Sequence, residues 1–501
     1  MSAASTSRAS SLLFVAVVAI MPVIVMVATK HPLPLGDDCR FPGFAMAIDR
    51  DGRWAPFKYS ENLYYQFFHL IPTLEYVFAS VTGVGVSNIM SYYLTLKIAL
   101  YLAYFLFIFL VVKRLTGDYT ASLMAILLLS ITPPLAFAQV THQRYAIVLF
   151  LGSAFIVLNL YKGILSRANM LATYPLWFAG IIAHATYTPM CLTFTLPLAF
   201  TDKSREVKRR ALKVGFIILI ISLAYWIYTY VLDTIVRPTV NAVTRLIDLL
   251  TGRAPSFPFQ GTALPWYTSE RSSFFIAWAL LPSIVASYLL FSVLHIALKR
   301  GGSLTAYFKD DKVILGLLGL GGTALNYLLR TLATFGGRYF YWLYLLMLPL
   351  AAFEVMRSSK RMLCSVLFIA IISLASFYGV RDPTLSANTY QNNIAWADRT
   401  SWRIGLSIAP HLNPESLSWI DPRVGAPISA LAPCMGVPCR FQHVLAVIGR
   451  DEVGLYATYK DPRNEDFFKR YFNIDPKNLF DHLDEFDITY NSGSYCVILK
   501  S

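Results

Sequence analysis

The chain has 501 residues, of which 56% are hydrophobic, with 43 basic and 29 acidic side chains. Charged residues make up 14% of the chain, against about 25% in an average soluble domain. So few charges could not cover the surface of a soluble protein of this size. The composition therefore excludes a disordered chain, a coiled coil and a cytosolic enzyme, and it predicts an all-α polytopic membrane protein.

Eleven apolar segments are predicted to be transmembrane helices, because about 20 mostly apolar residues are needed to cross a bilayer. No small-residue cleavage site follows the first segment, so it is interpreted as a retained helix and not as a signal peptide. Two predictions are weaker, because Pro175 and His184 interrupt the fifth segment and the ninth is rich in glycine. The segments are 11–29, 89–112, 118–136, 144–161, 169–183, 185–200, 214–232, 273–298, 313–331, 338–356 and 362–379.

Basic residues in the connectors predict the orientation. They lie on one side of the membrane if the N-terminus is cytoplasmic, which places 30–88, 233–272 and the C-terminal tail outside the plasma membrane. Residues 381–501 carry 12 basic and 14 acidic residues, so the excess of positive charge lies in the apolar part of the chain. Anionic lipid explains that excess, and nucleic-acid binding is not expected.

The composition changes near Tyr378, which predicts a transmembrane core over 1–379 and a small extracytoplasmic α+β domain over 380–501. In the tail, a helical pattern covers about 388–408 and the segment SLSWIDP at 416–422 is typical of a strand that enters a turn. Residues 487–500, DITYNSGSYCVILK, predict a β-hairpin around an Asn-Ser-Gly turn.

The six cysteines fall into two groups. Cys191 and Cys364 lie in apolar segments and are expected to be core residues. The other four lie on the predicted outer side, where disulfides can form. They are Cys39, Cys434, Cys439 and Cys496, of which Cys434 and Cys439 are close enough in sequence for a local bridge, although the pairing stays open.

The first outer segment contains the residues best suited to chemistry. Asp37 and Asp38 follow the first predicted helix, DGRW gives a Gly turn followed by Trp54, and an aromatic stretch surrounds Pro72. Adjacent carboxylates repel each other unless a proton or a cation neutralises them. They could also simply cap the helix that follows, since Asp is favoured at helix N-termini.

This order of elements resembles the GT-C membrane glycosyltransferases, which use sugars linked to polyprenyl phosphates. The resembling features are a single N-terminal helix, an acidic pair in the first outer loop, a Gly-Trp turn and an aromatic helix of the type YY…P…Y…G. Further similarity lies in residues 110–158, in AHATYT at 183–188 and in GRYFYWLYLLMLPLAA at 337–352. The His184 context is similar to archaeal members, and the group with protein mannosyltransferases and aminoarabinose transferases is the nearest in pattern.

The resemblance implies an inverting transfer of one sugar from a polyprenyl or dolichyl monophosphate to an envelope glycan, lipid or protein. Asp37 would be the general base that takes the proton of the acceptor hydroxyl. Asp38 would orient Asp37 or share a divalent cation with it, either Mg²⁺ or Mn²⁺, which would relieve the repulsion between the two acids.

Basic residues near the outer face are candidates for binding the donor phosphate, because charges inside a membrane usually face a cavity. They are Lys97, Arg144, Arg330 and Arg338, each of which could instead snorkel to the interface. Candidate substrate-binding residues are Trp54, His142, Gln143, His184, Trp266, Tyr267 and Glu270. Interfacial anchoring of the aromatic residues and a buried helix-end histidine are the simpler interpretations.

Three other functions fit parts of the pattern. A secondary transporter would also have many helices, but the sequence shows neither repeated halves nor paired broken helices. An envelope polymer ligase shares lipid-linked donors but matches poorly in its late outer loop, and a non-catalytic assembly factor would not need Asp37. The chain has no P-loop and no Trp-Trp-Asp motif of oligosaccharyltransferases, which argues against transfer of a whole glycan to Asn.

Overall fold

A computed structural model describes residues 40–53, 69–86, 88–131, 142–164, 173–184, 187–198 and 204–229, single positions within 240–251 and 363–370, and five strands between 417 and 499. The predicted segments 11–29, 273–298, 313–331 and 338–356 lie outside the described residues, and 362–379 is described at only four helical positions. The helical pattern at 388–408 and Cys364 also lie outside them.

The described residues form eight helices and five strands. The helices are α1 Arg40–Asp51, α2 Leu70–Thr82, α3 Ile89–Thr116, α4 Tyr119–Ile131, α5 His142–Tyr161, α6 Tyr174–Ala183, α7 Tyr187–Leu198 and α8 Arg205–Tyr228. The strands are β1 Leu417–Ile420, β2 Phe441–His443, β3 Val453–Tyr459, β4 Asp487–Asn491 and β5 Tyr495–Leu499.

Helices α3 and α4 form a hairpin whose short connection is set by two local signals. Gly117 ends α3 with a φ of 72°, a conformation that glycine adopts without strain. Asp118 begins α4 as its N-cap, since the backbone N–H groups of Thr120 and Ala121 donate to Asp118 Oδ1 at 2.7 and 3.2 Å. Lys113 lies over the Phe109 and Tyr119 rings across the hairpin.

Helices α3 and α5 run in the same direction. Phe107 on α3 lies beside Gly152 on α5, and nearer the other end of both helices the Lys162 ammonium donates to the Arg114 carbonyl. Helix α5 also contacts α6, α7 and α8. Parallel packing is what the predicted orientation requires of these two segments.

Helices α7 and α8 are antiparallel. Thr188 near the start of α7 bonds to Ser222 in α8, and Thr195 near the end of α7 lies beside Gly215. The core of this part contains Phe150, Phe194 and other large apolar side chains. Cys191 is buried and free in α7, so its prediction as a core residue is confirmed.

Two predicted helix boundaries in this region were wrong. Within the predicted segment 169–183, helix α6 begins at Tyr174, where Pro175 occupies the first turn and Thr173 precedes it. At about 15 Å, ten residues cannot cross a core of about 30 Å. Helix α8 begins at Arg205 and not near 214, because Ser204 caps it and the basic stretch that follows is rich in helix-favouring residues.

Two helical stretches in the described part are long and apolar enough to cross a bilayer, Ile98–Thr116 within α3 and Arg205–Tyr228. Helix α5 is also apolar and has 20 residues, equivalent to about 30 Å. The total of eleven spans stays a prediction.

The strands form one mixed sheet in the order β2-β1-β3-β5-β4. Strand β1 pairs in parallel with β2 and β3, whereas β5 pairs antiparallel with β3 and β4. The hairpin predicted for 487–500 is present as β4 and β5, and the strand predicted in SLSWIDP is β1. Cys496 lies on β5, while Cys39, Cys434 and Cys439 lie outside the described residues. The domain division at 380 stays a prediction.

Candidate functional site

The first outer segment forms two packed helices. Helix α1 contacts α2 and buries Phe41, Phe44 and Ile48. It ends at Gly52, whose φ of 63° confirms the predicted turn in DGRW. Asp37 and Asp38 precede α1 but lie outside the described residues, as does Trp54. The acidic pair is therefore attached to a buried helix, although its own geometry is not described.

Helix α2 carries a buried carboxylate. Glu75 is 1% exposed and lies on the stripe with Ile71 and Ala79, at a spacing of four residues. Helix α2 contacts α3, α5 and α6, while Leu74, Val77 and Val81 on other faces are exposed. A buried carboxyl group is held by its surroundings, because burying it costs several kcal/mol unless other groups compensate it. Glu75 thus lies in the interior, among the helices that surround the break at His184.

The structure describes the backbones of four of the predicted binding residues. Lys97 is the ninth residue of α3, and His142, Gln143 and Arg144 begin α5. Because α3 and α5 are parallel and Phe107 lies beside Gly152, Lys97 lies level with the first turn of α5. Two cations, a histidine and a glutamine at one level would suit an anionic ligand.

His184 lies at the break between α6 and α7 and is fully buried, with 0% of its surface exposed. Its backbone is extended, with φ −165° and ψ 141°, so it ends α6. Its N–H donates to the Gly180 carbonyl at 3.3 Å, and its own carbonyl accepts from the Tyr187 N–H at 3.0 Å. The expectation of a histidine at a helix end is confirmed, and its environment is the protein interior.

Two buried hydroxyl pairs surround the first turn of α7. Tyr187 and Ser153 approach to 2.5 Å between α7 and α5, and Thr188 and Ser222 approach to 2.5 Å between α7 and α8. Each serine has one hydrogen, which it donates to the carbonyl four residues before it, at Leu149 and Ile218 respectively. Tyr187 and Thr188 are therefore the donors within the pairs.

Glycine at position 180 allows the Tyr187 ring to pack directly on α6. A methyl group added at Gly180 would overlap three atoms of that ring. The ring of Tyr187 thus contacts α6 on one side of His184, while its hydroxyl bonds to α5. Helices α5, α6 and α7 meet at this one side chain.

The other predicted site residues cannot be placed relative to this region. Arg330, Arg338, Trp266, Tyr267 and Glu270 lie outside the described part of the chain. Ser153, which contacts the His184 region, is nine residues from Arg144, or about 13 Å along α5.

Within the described residues no group of three or more His, Cys, Asp or Glu side chains could hold a metal ion. The metal site predicted at Asp37 and Asp38 is not tested by this.

Sequence reasoning missed Glu75, Ser153 and Tyr187. A signal for Glu75 exists, because it is the only acid in the thirteen residues of α2 and falls on an apolar stripe with a spacing of four. No comparable signal marks Ser153 and Tyr187. They are 34 residues apart, and only the packing of α5 against α7 brings them together.

No protein-family model matches the chain, and no curated protein sequence matches it.

Solved structures with the same fold come from bacteria and archaea. ArnT from Cupriavidus metallidurans in the apo state aligns with a TM-score of 0.53 and 12% identity, over 99% of this chain and 98% of that one. ArnT bound to undecaprenyl phosphate aligns with a TM-score of 0.51 and 13% identity, over 98% of both chains. The apo oligosaccharyltransferase of Archaeoglobus fulgidus aligns with a TM-score of 0.52 and 13% identity, over 98% of this chain and 74% of that one.

Identities of 12 to 13% establish likeness of fold alone. The resemblance predicted from the sequence motifs is thus confirmed at the level of architecture: the chain shares its fold with ArnT and with the Archaeoglobus oligosaccharyltransferase.

Proposed function

We propose that the chain is an inverting glycosyltransferase that moves one sugar from a polyprenyl or dolichyl monophosphate to an envelope glycan, lipid or protein at the outer face of the plasma membrane. The observation that carries this proposal is the fold shared with ArnT along almost the full length of both chains. One solved ArnT structure is bound to undecaprenyl phosphate, the kind of anionic lipid that the proposed donor would leave behind.

The proposed reaction is a single displacement. The acceptor hydroxyl attacks the anomeric carbon and gives its proton to Asp37, while the bond between the sugar and the phosphate oxygen breaks. The electron pair of that bond leaves with the polyprenyl phosphate, and the anomeric configuration inverts. A carboxylate within hydrogen-bonding reach can raise the rate of such a step by a factor of about 10² to 10⁴.

Cations stabilise the departing phosphate in this proposal. Lys97 and Arg144 are supported by their common level at one end of α3 and α5. Arg330 and Arg338 join them as predictions from the sequence. His142, Gln143, Trp54, Trp266, Tyr267 and Glu270 are proposed to contact sugar or acceptor, and the buried His184 is proposed to face the substrate.

Two further acids complete the proposed site. Asp38 holds Asp37 in orientation or binds a Mg²⁺ or Mn²⁺ ion together with it. Glu75 belongs to the same outer segment, and its burial on α2 supports a place in the site. An Archaeoglobus oligosaccharyltransferase of similar fold, with a TM-score of 0.50 and 12% identity, was solved in complex with Zn and sulfate.

The test is consumption of lipid-linked sugar by membranes that contain equal amounts of wild type, Asp37→Asn or Asp38→Asn. Asp37→Asn should abolish transfer because an amide cannot accept the proton, and Asp38→Asn should weaken it. Asp49→Asn is the matched control, since Asp49 is an exposed acid at the end of α1 in the same segment. Equal turnover in all four proteins would refute the catalytic role of the pair, and solute counterflow in liposomes would favour a transporter.

A further inference from the structure

We propose that Tyr187 is a positioning residue, whose ring on Gly180 and hydroxyl bond to Ser153 hold His184 at its buried place in the substrate site. This inference rests on the proposed function. It concerns a contact between three helices, which we call the Tyr187 clamp, formed by Gly180, Ser153 and Tyr187.

The first argument is that the two short helices on either side of His184 do not fix its position by themselves. At His184 the backbone leaves the helical conformation, and α6 and α7 are joined through two backbone hydrogen bonds at 3.3 and 3.0 Å. Helices of ten and twelve residues are too short to be stable by themselves. Tertiary contacts must therefore fix the angle at which His184 enters the interior.

The second argument is that the clamp acts on both sides of His184. Gly180 lies four residues before His184, and Tyr187 lies three residues after it. The Tyr187 side chain is fully buried and lies directly on Gly180, with room for no side chain between them. Its hydroxyl then donates to Ser153, which is 2% exposed, so the pair is shielded from water. The three residues thus tie the two short helices to α5.

The third argument is a contrast within the same turn of α7. Thr188 forms a hydroxyl pair of the same length with Ser222, and Ser222 is equally buried. This pair joins α7 to α8 and does not reach α6. Both serines also donate to the carbonyl four residues earlier, so Ser153→Ala and Ser222→Ala remove nearly identical sets of hydrogen bonds. Only the first removes a contact of the clamp.

The experiment measures two properties of full-length protein in nanodiscs. The first is carbethoxylation of His184 by diethyl pyrocarbonate, read by mass spectrometry. The second is kcat and KM for transfer from the lipid-linked sugar. Ser153→Ala and Tyr187→Phe should each make His184 reactive and lower kcat about tenfold, with KM changed by less than about twofold, because a small misplacement of a site residue is costly. The loss in the double variant should be clearly smaller than the sum of the two single losses, because both single variants remove the bond between Tyr187 and Ser153.

Ser222→Ala is the matched control and should leave His184 protected and kcat within about twofold of wild type. The proposal is overturned if His184 stays protected in Tyr187→Phe, or if Ser222→Ala lowers kcat as much as Ser153→Ala does. It is also overturned if His184 becomes reactive while kcat is unchanged. A wild type that transfers no sugar would refute the proposed function, and the modification pattern would still decide whether the clamp holds His184.

Discussion

The ionisable side chains of α2 and of the end of α6 lie in a very different environment from those of α8. The two short helices bring Glu75 and His184 into the interior, where they are 1% and 0% exposed. Helix α8 keeps all of its charged residues within its first nine positions, where each is exposed or half-buried. Beyond them its exposed residues are apolar, among them Phe216, Ile220 and Ile227.

This difference distinguishes a helix that anchors the protein in the membrane from helices that form the candidate site. A long helix whose apolar face is exposed and whose charges lie at one end satisfies the bilayer without further help. Anchoring in a bilayer does not require a buried carboxyl group and a buried imidazole at short helices. Among the described residues, the region around the break at His184 is therefore where substitutions should have specific effects.

The strongest test of this contrast is Gly180→Ala. In an ordinary helix this change stabilises by up to about 1 kcal/mol. Here the new methyl group overlaps the Tyr187 ring, so we expect the free energy of unfolding to fall by about 2 kcal/mol. Thermal unfolding in detergent measures the effect. Gly152→Ala is the control, since its methyl group would lie 3.4 Å from the Phe107 ring in ordinary contact. Equal stability of both variants would contradict the packing described.

The next test removes the buried carboxyl group of α2. Glu75→Gln keeps the shape of the side chain but cannot ionise, and we expect the rate of transfer of the lipid-linked sugar to fall at least tenfold. This loss corresponds to a barrier raised by at least about 1.4 kcal/mol. Glu206→Gln makes the same change at an exposed position of α8 and should leave transfer unchanged. Full activity of Glu75→Gln would mean that its carboxylate is only a packed structural group.

A third test concerns an acid whose role the structure fully explains. Asp118 caps α4 through two backbone N–H groups, so Asp118→Ala should lower the free energy of unfolding by about 1 kcal/mol. Asp118→Asn should retain most of this stability, because an amide oxygen also accepts these bonds. Transfer activity should be the same in both variants. If the acids of the first outer segment were only caps, their asparagine variants would show the same tolerance.

The smallest effect is expected in α8. Glu206 pairs with Arg210 one turn later, on a surface where the Glu206 side chain is 62% exposed. Exposed pairs at this spacing contribute about 0.3–0.5 kcal/mol, so Glu206→Gln should change the free energy of unfolding by no more than that. A loss above about 1 kcal/mol at moderate salt would show that α8 is not the passive helix that the contrast describes.

Local patterns predicted the elements where one signal dominates. The boundaries of α3 and α5 follow from continuous apolar runs, and the β4–β5 hairpin follows from two β-type runs around Asn-Ser-Gly. The start of α8 was placed too late, because its basic residues were interpreted as a connector although they favour a helix. The fifth segment was predicted too long, because Pro175 sits in the first turn of α6 and the apolar residues before it are not part of that helix.

The sequence by itself determined that this chain belongs in a bilayer. It also determined the positions of most apolar segments along the chain and the resemblance of the fold to GT-C transferases. These properties depend on composition and on residues close together in the chain. Only the tertiary structure decided that Glu75 and His184 are buried and that Tyr187 reaches both Gly180 and Ser153. Those contacts join residues on different helices. The spacing of Glu75 marks a candidate face, but only the packing of the helices decides which faces are buried.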